Sequence, residues 1–470
     1  MQLRGTRVMV VGLARTGVAT ALFCAAQGAL VSASDLRSEQ QLGDCVEKLR
    51  ATGVRLHFGE PTPSILQGQE LVVPSPGVPA DTPLLEQARE MGIPVWSEIE
   101  LAGRFLRGKL IGITGSNGKT TTTSLIEHIL RNAGIATLLA GNIGTPLIAQ
   151  VGKTTDDTVS VAELSSFQLE LIASFRPHIA VFLNLTPDHL DRHKTLDAYG
   201  AAKACIFANQ TRDDFAVLNA DDTASAAYAP ASPRVLWFSR RKMVTPGAFV
   251  RDDQIVFAHH GEEEKIIALS QLPLPGAHNL ENVLAAAVAT RLAGVRPAQI
   301  EAGIKSFAGV EHRIEFVAEI QGVRYYNDSK ATNVDATLKA LESFPGHILV
   351  ILGGKDKDSD YTQLRATLRE KAILALLIGA AADKIERQIA GSVAIERAGT
   401  MENAVEAAFQ SAHSGDIVLL SPACASFDQF QNYEHRGRVF KDLVHQLAQR
   451  TAVARGAEIS NRSNGERRNA

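Results

Sequence analysis

This chain contains no apolar run of about 18 residues or more, so nothing in it is built to cross a membrane as a helix. Cysteine is scarce. Cys24, Cys45, Cys205 and Cys424 lie far apart and form no CxxC pair, which argues against a zinc ribbon or a disulfide framework. A reducing compartment suits such a chain, and a cytoplasmic location is expected. Charge of one sign is lacking too: 48 Lys and Arg stand against 51 Asp and Glu, a net of −3. A nucleic-acid partner is therefore not expected, since it would call for a net basic face. Nor is there an internal repeat at a period of about 20–50 residues. The apolar start, from Val8 to Ala14, has the look of a short signal core. It runs into Gly12 and Gly17 with no small-residue cleavage site after it, and reads instead as a first β-strand.

What is present is an ordinary globular composition, 45% apolar and 21% charged, spread over 470 residues. That length exceeds what one core usually supports, so two or three domains are expected. Three α/β blocks separate by pattern. The first spans 1–107: a strand over Val8–Val11, a glycine turn, a helix over Val18–Gln27 and a strand over Leu30–Ser34 ending in Asp35, the start of a parallel βαβ sheet. The second spans 108–308, with predicted strands at Leu110–Thr114, Val159–Glu163 and Ile179–Asn184 and a helix running to about Asn132. The third spans 309–449, with predicted strands at His347–Leu352, Ala375–Ile378 and Ile417–Leu420. Residues 450–470 are rich in Arg, Asn, Ser and Gly and read as a disordered tail.

The sharpest local signal is Gly115-Ser116-Asn117-Gly118-Lys119-Thr120, set between a predicted strand and a predicted helix. Glycines let successive backbone N–H groups turn toward a phosphate at the positive end of a helix. Lys119 would neutralise the β- and γ-phosphates, and the Thr120 hydroxyl would bind Mg²⁺. Ile113 stands where the general P-loop pattern has its first glycine, with Gly112 and Gly115 on either side. The earlier loop, Gly12-Leu13-Ala14-Arg15-Thr16-Gly17, follows G-x-G-x-x-G except for Ala14, which would block the closest approach of a pyrophosphate. Asp35 could bond a ribose or a uracil, or merely cap a turn.

Glu163 and His189 each follow a predicted strand, and in a parallel sheet such positions fall on the same rim as the phosphate loop. A carboxylate and an imidazole there suit a second Mg²⁺; each could equally be an ordinary loop or helix-start residue. Lys203 sits among Tyr199, Gly200, Ala201, Ala202, Ala204 and Cys205. It could reach solvent along its stem, or lose its proton and take up CO₂ as a carbamate.

Together these residues resemble the Mur ligase family, from the first glycine loop to about Tyr433. The resemblance implies a three-domain α/β protein: a Rossmann-like N-terminal domain binding a UDP substrate, a central P-loop ATPase-type domain with a parallel sheet, and a Rossmann-like C-terminal domain binding an amino acid. The family's loop is of the T-G-[ST]-N-G-K-[ST] kind, which accounts for Ile113. By the same resemblance Gly115 to Thr121, with Asn279, Asn282, His312, Arg313 and Asp328, would bind ATP. Lys119, His189, Lys203 and Lys330 would carry the chemistry, Lys203 as a carbamate derived from CO₂. Thr120, Glu163 and His189 would hold Mg²⁺, two ions in all. His278-Asn279-Leu280-Glu281-Asn282, Gly309-Val310-Glu311-His312-Arg313 and Asn327-Asp328-Ser329-Lys330 carry the match.

The segments around Lys355 and from Leu420 to Phe430 point to the D-glutamate-adding type, and the D-[DN]-P-R stretch of the diaminopimelate- and lysine-adding members is missing. Thr332, Lys355, Ser426, Phe427 and Tyr433 would then surround D-glutamate. Arg15, Thr16, Asp35, Arg37, Ser75 and Asn142 would lie along the path of UDP-N-acetylmuramoyl-L-alanine. The family usually has Phe at the position of Tyr433 and often Leu at that of Phe427. The implied reaction phosphorylates the substrate carboxylate and lets the amine displace phosphate. A monomer is expected. Rival readings are another ligase of the same superfamily, such as a folylpolyglutamate synthase; an ATP-gated binding module; and a nicotinamide dehydrogenase, which Ala14 disfavours.

Overall fold

The computed structural model describes residues 2–466, the side chains of Asp191 and of residues 453–466 excepted. The first sheet contains β1 (Arg7–Val11), β2 (Leu30–Asp35), β3 (Arg55–Phe58) and β4 (Leu71–Pro74), all parallel in the order β3-β2-β1-β4. Val8 to Val11 are buried throughout, as expected of a parallel strand covered on both faces. The following helix is Arg15–Ala26 and so begins ahead of the predicted Val18. Gly17 reads as a turn residue but lies inside the first helical turn. A Cβ there would come 1.8 Å from the Gly12 carbonyl oxygen, so the missing side chain lets helix and turn pack directly.

The central sheet contains β5 (Lys109–Thr114), β6 (Thr137–Gly141), β7 (Val159–Glu163), β8 (Ile179–Phe182), β9 (Phe215–Asn219), β10 (Arg234–Ser239), β11 (Gly247–Arg251), β12 (Gln254–His259) and β13 (Glu262–Ala268). Its order is β13-β12-β11-β10-β9-β8-β5-β7-β6; pairs from β6 to β11 are parallel, and β12 and β13 add an antiparallel edge. Strand β8 stops at Phe182, short of the predicted Asn184. The reason is local: Asn184 leaves the sheet and its side chain accepts from the Asn117 N–H at 2.9 Å. One apolar cluster runs from Leu3, Val8 and Val10 through Ile99 and Leu101 to Phe175, Phe182 and Ile206, so the first two sheets share a core.

The third sheet contains β14 (Glu315–Ile320), β15 (Val323–Asn327), β16 (Ile348–Gly353), β17 (Ala372–Ile378), β18 (Ala394–Gly399) and β19 (Ile417–Leu420), in the order β14-β15-β19-β16-β17-β18. All neighbours are parallel except the β14–β15 hairpin. Clusters on its two faces, one around Val350 and Leu377 and one around Leu349 and Val418, form the core of this part. The chain divides into two compact units, one of Met1–Pro273 with Asn279–Phe307, the other of Leu274–His278 with Ala308–Ala470.

The final helix, Tyr433–Glu466, carries the backbone through the first part of the stretch expected to be a disordered tail; residues 467–470 lie outside the described residues. Among the described residues no helix is long and apolar enough to cross a membrane.

Candidate active site

Strand β5 ends at Thr114, and the loop Gly115–Gly118 turns the chain into the helix Lys119–Asn132. Gly118 caps that helix with φ of +80°, in the left-handed region, and a Cβ on it would come 2.2 Å from Asn282 Oδ1. The loop is pinned from the side. The Ser116 hydroxyl donates to the Thr186 carbonyl at 2.9 Å, and Asn117 Nδ2 donates to Thr186 Oγ1 at 3.2 Å. Asn184 and Thr186 are thus supports that the sequence reading missed; polar residues just beyond a predicted strand were the available signal. Thr122 Oγ1 donates to Asn282 Oδ1 at 3.2 Å, and Asn282 Nδ2 to Asn279 Oδ1 at 3.3 Å. Both asparagines are buried beside the loop.

Two ammonium groups meet the loop's backbone. Lys119 Nζ donates to the carbonyls of Gly115 and Ser116 at 2.8 and 2.9 Å. Lys203 Nζ donates to the same Gly115 carbonyl at 2.8 Å, and lies 4.3 Å above the Tyr199 ring. Lys203 is only 1% exposed. Burial, with the Lys119 charge nearby, holds its amine well below the ordinary lysine range, against the opposing pull of Asp188 and Glu163.

Beside the loop, the sheet register sets Glu163 next to Ile113 on one side and Gly141 on the other. Its Oε2 accepts from Thr120 Oγ1 at 2.7 Å and its Oε1 from Asn142 Nδ2 at 2.9 Å. A hydroxyl and a carboxylate beside a phosphate loop are the hard oxygen donors that suit Mg²⁺ shared with phosphates and water. Among the described residues no group of three or more His, Cys, Asp or Glu side chains is placed to hold a metal ion. His189 has φ of +52° and caps the short helix Leu190–His193. Its ring meets Phe167 and Tyr199 edge-on, at centroid distances of 5.0 and 6.1 Å.

The first sheet carries a cavity of about 600 Å³ at the ends of β1 and β2, walled by Gly12, Asp35, Arg37, Gly77, Val78 and Pro79 among others. Burial alone would raise Asp35. The Arg37 side chain, with the N–H groups of Arg37 and Leu13, instead holds it down at about 2. Leu13 N–H donates to Oδ2 at 2.6 Å, and the Arg37 guanidinium bridges both oxygens at 2.9 and 3.0 Å. Of the six residues expected along the UDP path, Asp35 and Arg37 line this cavity. Arg15 and Thr16 begin the helix after the turn, and Ser75 braces the turn by donating to the Gly12 carbonyl at 2.9 Å. Asn142 stands elsewhere, on Glu163.

In the second unit, Asp328 follows β15. Ile314 N–H donates to its Oδ1 at 3.2 Å and Ser421 Oγ to its Oδ2 at 3.1 Å. Burial raises its carboxyl to about 7 despite Arg313, Ser421 and Arg436 nearby. Lys330 Nζ lies 3.8 Å over the Tyr433 ring. His312 has φ of +65°; its Nδ1 meets Asn327 Nδ2 at 2.9 Å, and among the described residues its buried Nε2 has no hydrogen-bond partner. Lys355 and Ala425 exchange backbone bonds of 2.8 and 3.1 Å, which brings Lys355 beside the loop of Ser426. Ser426 is buried and Phe427 exposed. Thr332 sits half-buried just ahead of the helix Val334–Glu342.

Arg436, a residue the sequence reading missed, is fully buried. It donates to Ser329 Oγ, the Ser329 carbonyl and the Cys424 carbonyl at 3.0, 2.8 and 3.1 Å, bracing the Asp328–Lys330 loop against the Cys424–Ser426 loop. Only its place in the final helix reveals it.

Comparison with known proteins gives matches along most of the chain. Residues 6–97 match the description "Mur ligase MurD-like, N-terminal domain", 113–290 "Mur ligase middle domain", and 312–424 "Mur ligase, glutamate ligase domain". A curated protein of Koribacter versatilis named UDP-N-acetylmuramoylalanine--D-glutamate ligase is 54% identical over 450 residues, 96% of this chain and 99% of its own. One of the same name from Acidobacterium capsulatum is 53% identical over 457 residues, 97% of this chain and 99% of its own. Among solved structures, MurF ligase of Thermotoga maritima in complex with ADP superposes with a TM-score of 0.58 at 16% identity, covering 95% of this chain and 97% of that one. UDP-N-acetylmuramate-alanine ligase MurC of the same organism gives 0.57 at 18% identity, covering 94% and 99%. At such identities these two structures speak for the fold alone.

Proposed function

The chain belongs to the Mur ligase family, and on that premise we propose that it joins D-glutamate to UDP-N-acetylmuramoyl-L-alanine, with ATP converted to ADP and phosphate. Full-length similarity to two D-glutamate ligases supports the choice of substrates. The observation that carries the chemistry is the meeting of Lys119, Lys203 and the Thr120–Glu163 pair at one glycine loop.

A carboxylate is a poor acyl donor because oxide would have to leave. An oxygen of the substrate carboxylate attacks the γ-phosphorus and ADP departs; the amine of D-glutamate then adds to the acyl carbon and phosphate departs. The loop N–H groups and Lys119 bind the transferring phosphoryl group and stabilise its charge. Asn279 and Asn282 face the base, His312, Arg313 and Asp328 bind the remaining parts of the nucleotide, and Lys330 lies near the reacting phosphate. The blocks 1–107, 108–308 and 309–449 bind the UDP substrate, ATP and the amino acid in turn. Asp35 and Arg37 in the cavity, with Arg15, Thr16, Ser75 and Asn142, form the UDP path. Thr332, Lys355, Ser426, Phe427 and Tyr433 surround D-glutamate.

Thr120 and Glu163 would hold one Mg²⁺; Glu163, His189 and a carbamate on Lys203 would hold a second. When bound, Mg²⁺ would neutralise charge on the phosphate oxygens. The buried, easily deprotonated Lys203 amine supports carbamate formation, in which nitrogen bonds to the carbon of CO₂ and a proton leaves.

The test supplies purified protein with ATP, UDP-N-acetylmuramoyl-L-alanine labelled with oxygen-18 in its carboxylate, and D-glutamate or other amino acids. Label in released phosphate and a product heavier by one glutamyl residue are expected with D-glutamate. Phosphate release that ignores the amino acid would refute the assignment. In a second arm, Lys203→Ala should lose about 10²-fold or more in rate and recover in part with a short carboxylate; an unchanged rate would refute the carbamate.

A further inference from the structure

The short helix Leu190–His193 that follows His189 is held by its last two side chains. Arg192 Nη2 donates to Glu170 Oε2 at 3.0 Å, and its guanidinium lies 4.1 Å over the face of Phe167. The same group reaches across to the first sheet: Nη1 donates to the Pro76 carbonyl at 3.1 Å and Nη2 to the Val78 carbonyl at 3.4 Å. The loop of Pro76 to Val78 supplies Gly77 and Val78 to the wall of the 600 Å³ cavity. Next in the chain, His193 meets Ser166 Oγ through Nε2 at 3.0 Å and Glu170 through Nδ1 at 3.3 Å, and stacks on Phe167 at 5.4 Å. Phe167 in turn is the ring that touches His189 edge-on, and the backbone N–H groups of Arg192 and His193 both donate to the His189 carbonyl.

We propose that Arg192 is a positioning residue through which a filled cavity sets the pose of His189 and the loop after Glu163. The inference rests on the function proposed above. Its physical basis is the shape of the guanidinium, which lays one face on an aromatic ring while its edge donates to a carboxylate and two carbonyls. A lysine at 192 keeps the charge and cannot do both. Any ligand that fixes the 76–78 loop therefore fixes Arg192, and with it Phe167 and His189. Linkage makes the effect reciprocal: a nucleotide that favours the same pose of His189 tightens the cavity's ligand by the same factor.

Calorimetry measures this directly. The affinity for UDP-N-acetylmuramoyl-L-alanine is determined with and without Mg²⁺ and a non-hydrolysable ATP analogue, in the wild type, Arg192→Lys and Arg192→Met. The wild type should show about tenfold mutual tightening. In both variants the factor should fall to within about twofold of unity, with affinity for the nucleotide analogue alone kept within about twofold and folding confirmed by the melting temperature. Equal coupling in the wild type and both variants overturns the role of Arg192 and leaves the proposed reaction standing. A wild type that binds both ligands without coupling overturns it as well. A wild type that does not bind the UDP substrate refutes the parent reading, and this inference with it.

Discussion

At the scale of single residues, the sequence exposed what is local and hid what is assembled. The glycine loop that leads into the helix of Lys119 and Thr120 was legible because its pattern lies in six consecutive positions. Glu163 and Lys203 were legible only as possibilities, since the bonds to Thr120 and Gly115 join positions far apart in the chain. Arg192 and Arg436 were not legible at all: an arginine's sequence context does not disclose which carbonyls it will reach. Glu98 belongs to the same class. It is buried and accepts from Ile148 N–H at 2.6 Å. Burial raises its carboxyl from 4.5 to about 7. The folded state thus holds this proton more tightly than the unfolded one. The stability this gives is present below the unfolded value and is lost as pH rises toward 7. In Glu98→Gln that slope should vanish, so the variant gains on the wild type by about 1–3 kcal/mol between pH 5 and pH 8. Denaturant titrations at the two pH values decide it; a constant difference between the proteins would refute it.

At the scale of elements, the parallel strands that were expected are short apolar runs closed by turns, and β7 and β19 fall where expected, whereas the equally buried β4 and β9 were not foreseen. The edge pair β12–β13 was missed. Four of the seven residues of β13 are Glu262, Glu263, Glu264 and Lys265, which carry no apolar alternation, and only pairing with β12 makes it a strand. The helix Lys119–Asn132 is an element whose start depends on one residue. With φ of +80° at Gly118 and Asn282 Oδ1 2.2 Å from a would-be Cβ, Gly118→Ala meets backbone strain and a clash together. It should cost about 1–3 kcal/mol of stability and weaken an ATP analogue by about tenfold or more. Chemical denaturation and calorimetry would check both, and wild-type affinity in the variant would count against the loop's assigned role.

At the scale of the molecule, three α/β blocks were legible from pattern, but the division into two compact units was not. A five-residue piece, Leu274–His278, belongs with the second unit although both its flanks belong to the first. Separate units should melt separately. Leu349→Ala, in the fully buried core of the second, should lower one calorimetric transition by about 2–5 kcal/mol and leave the other in place. A single transition moving as a whole would contradict that division. The order of manufacture follows from the same interleaving. Gly118 and Thr122 leave the ribosome some 160 residues ahead of Asn282, the side chain that packs beneath them. A nascent chain halted between Thr122 and Asn282 already owns the whole glycine loop and still lacks the side chain that packs against it, so the loop reaches its packed form only once a helix made more than halfway through synthesis has emerged.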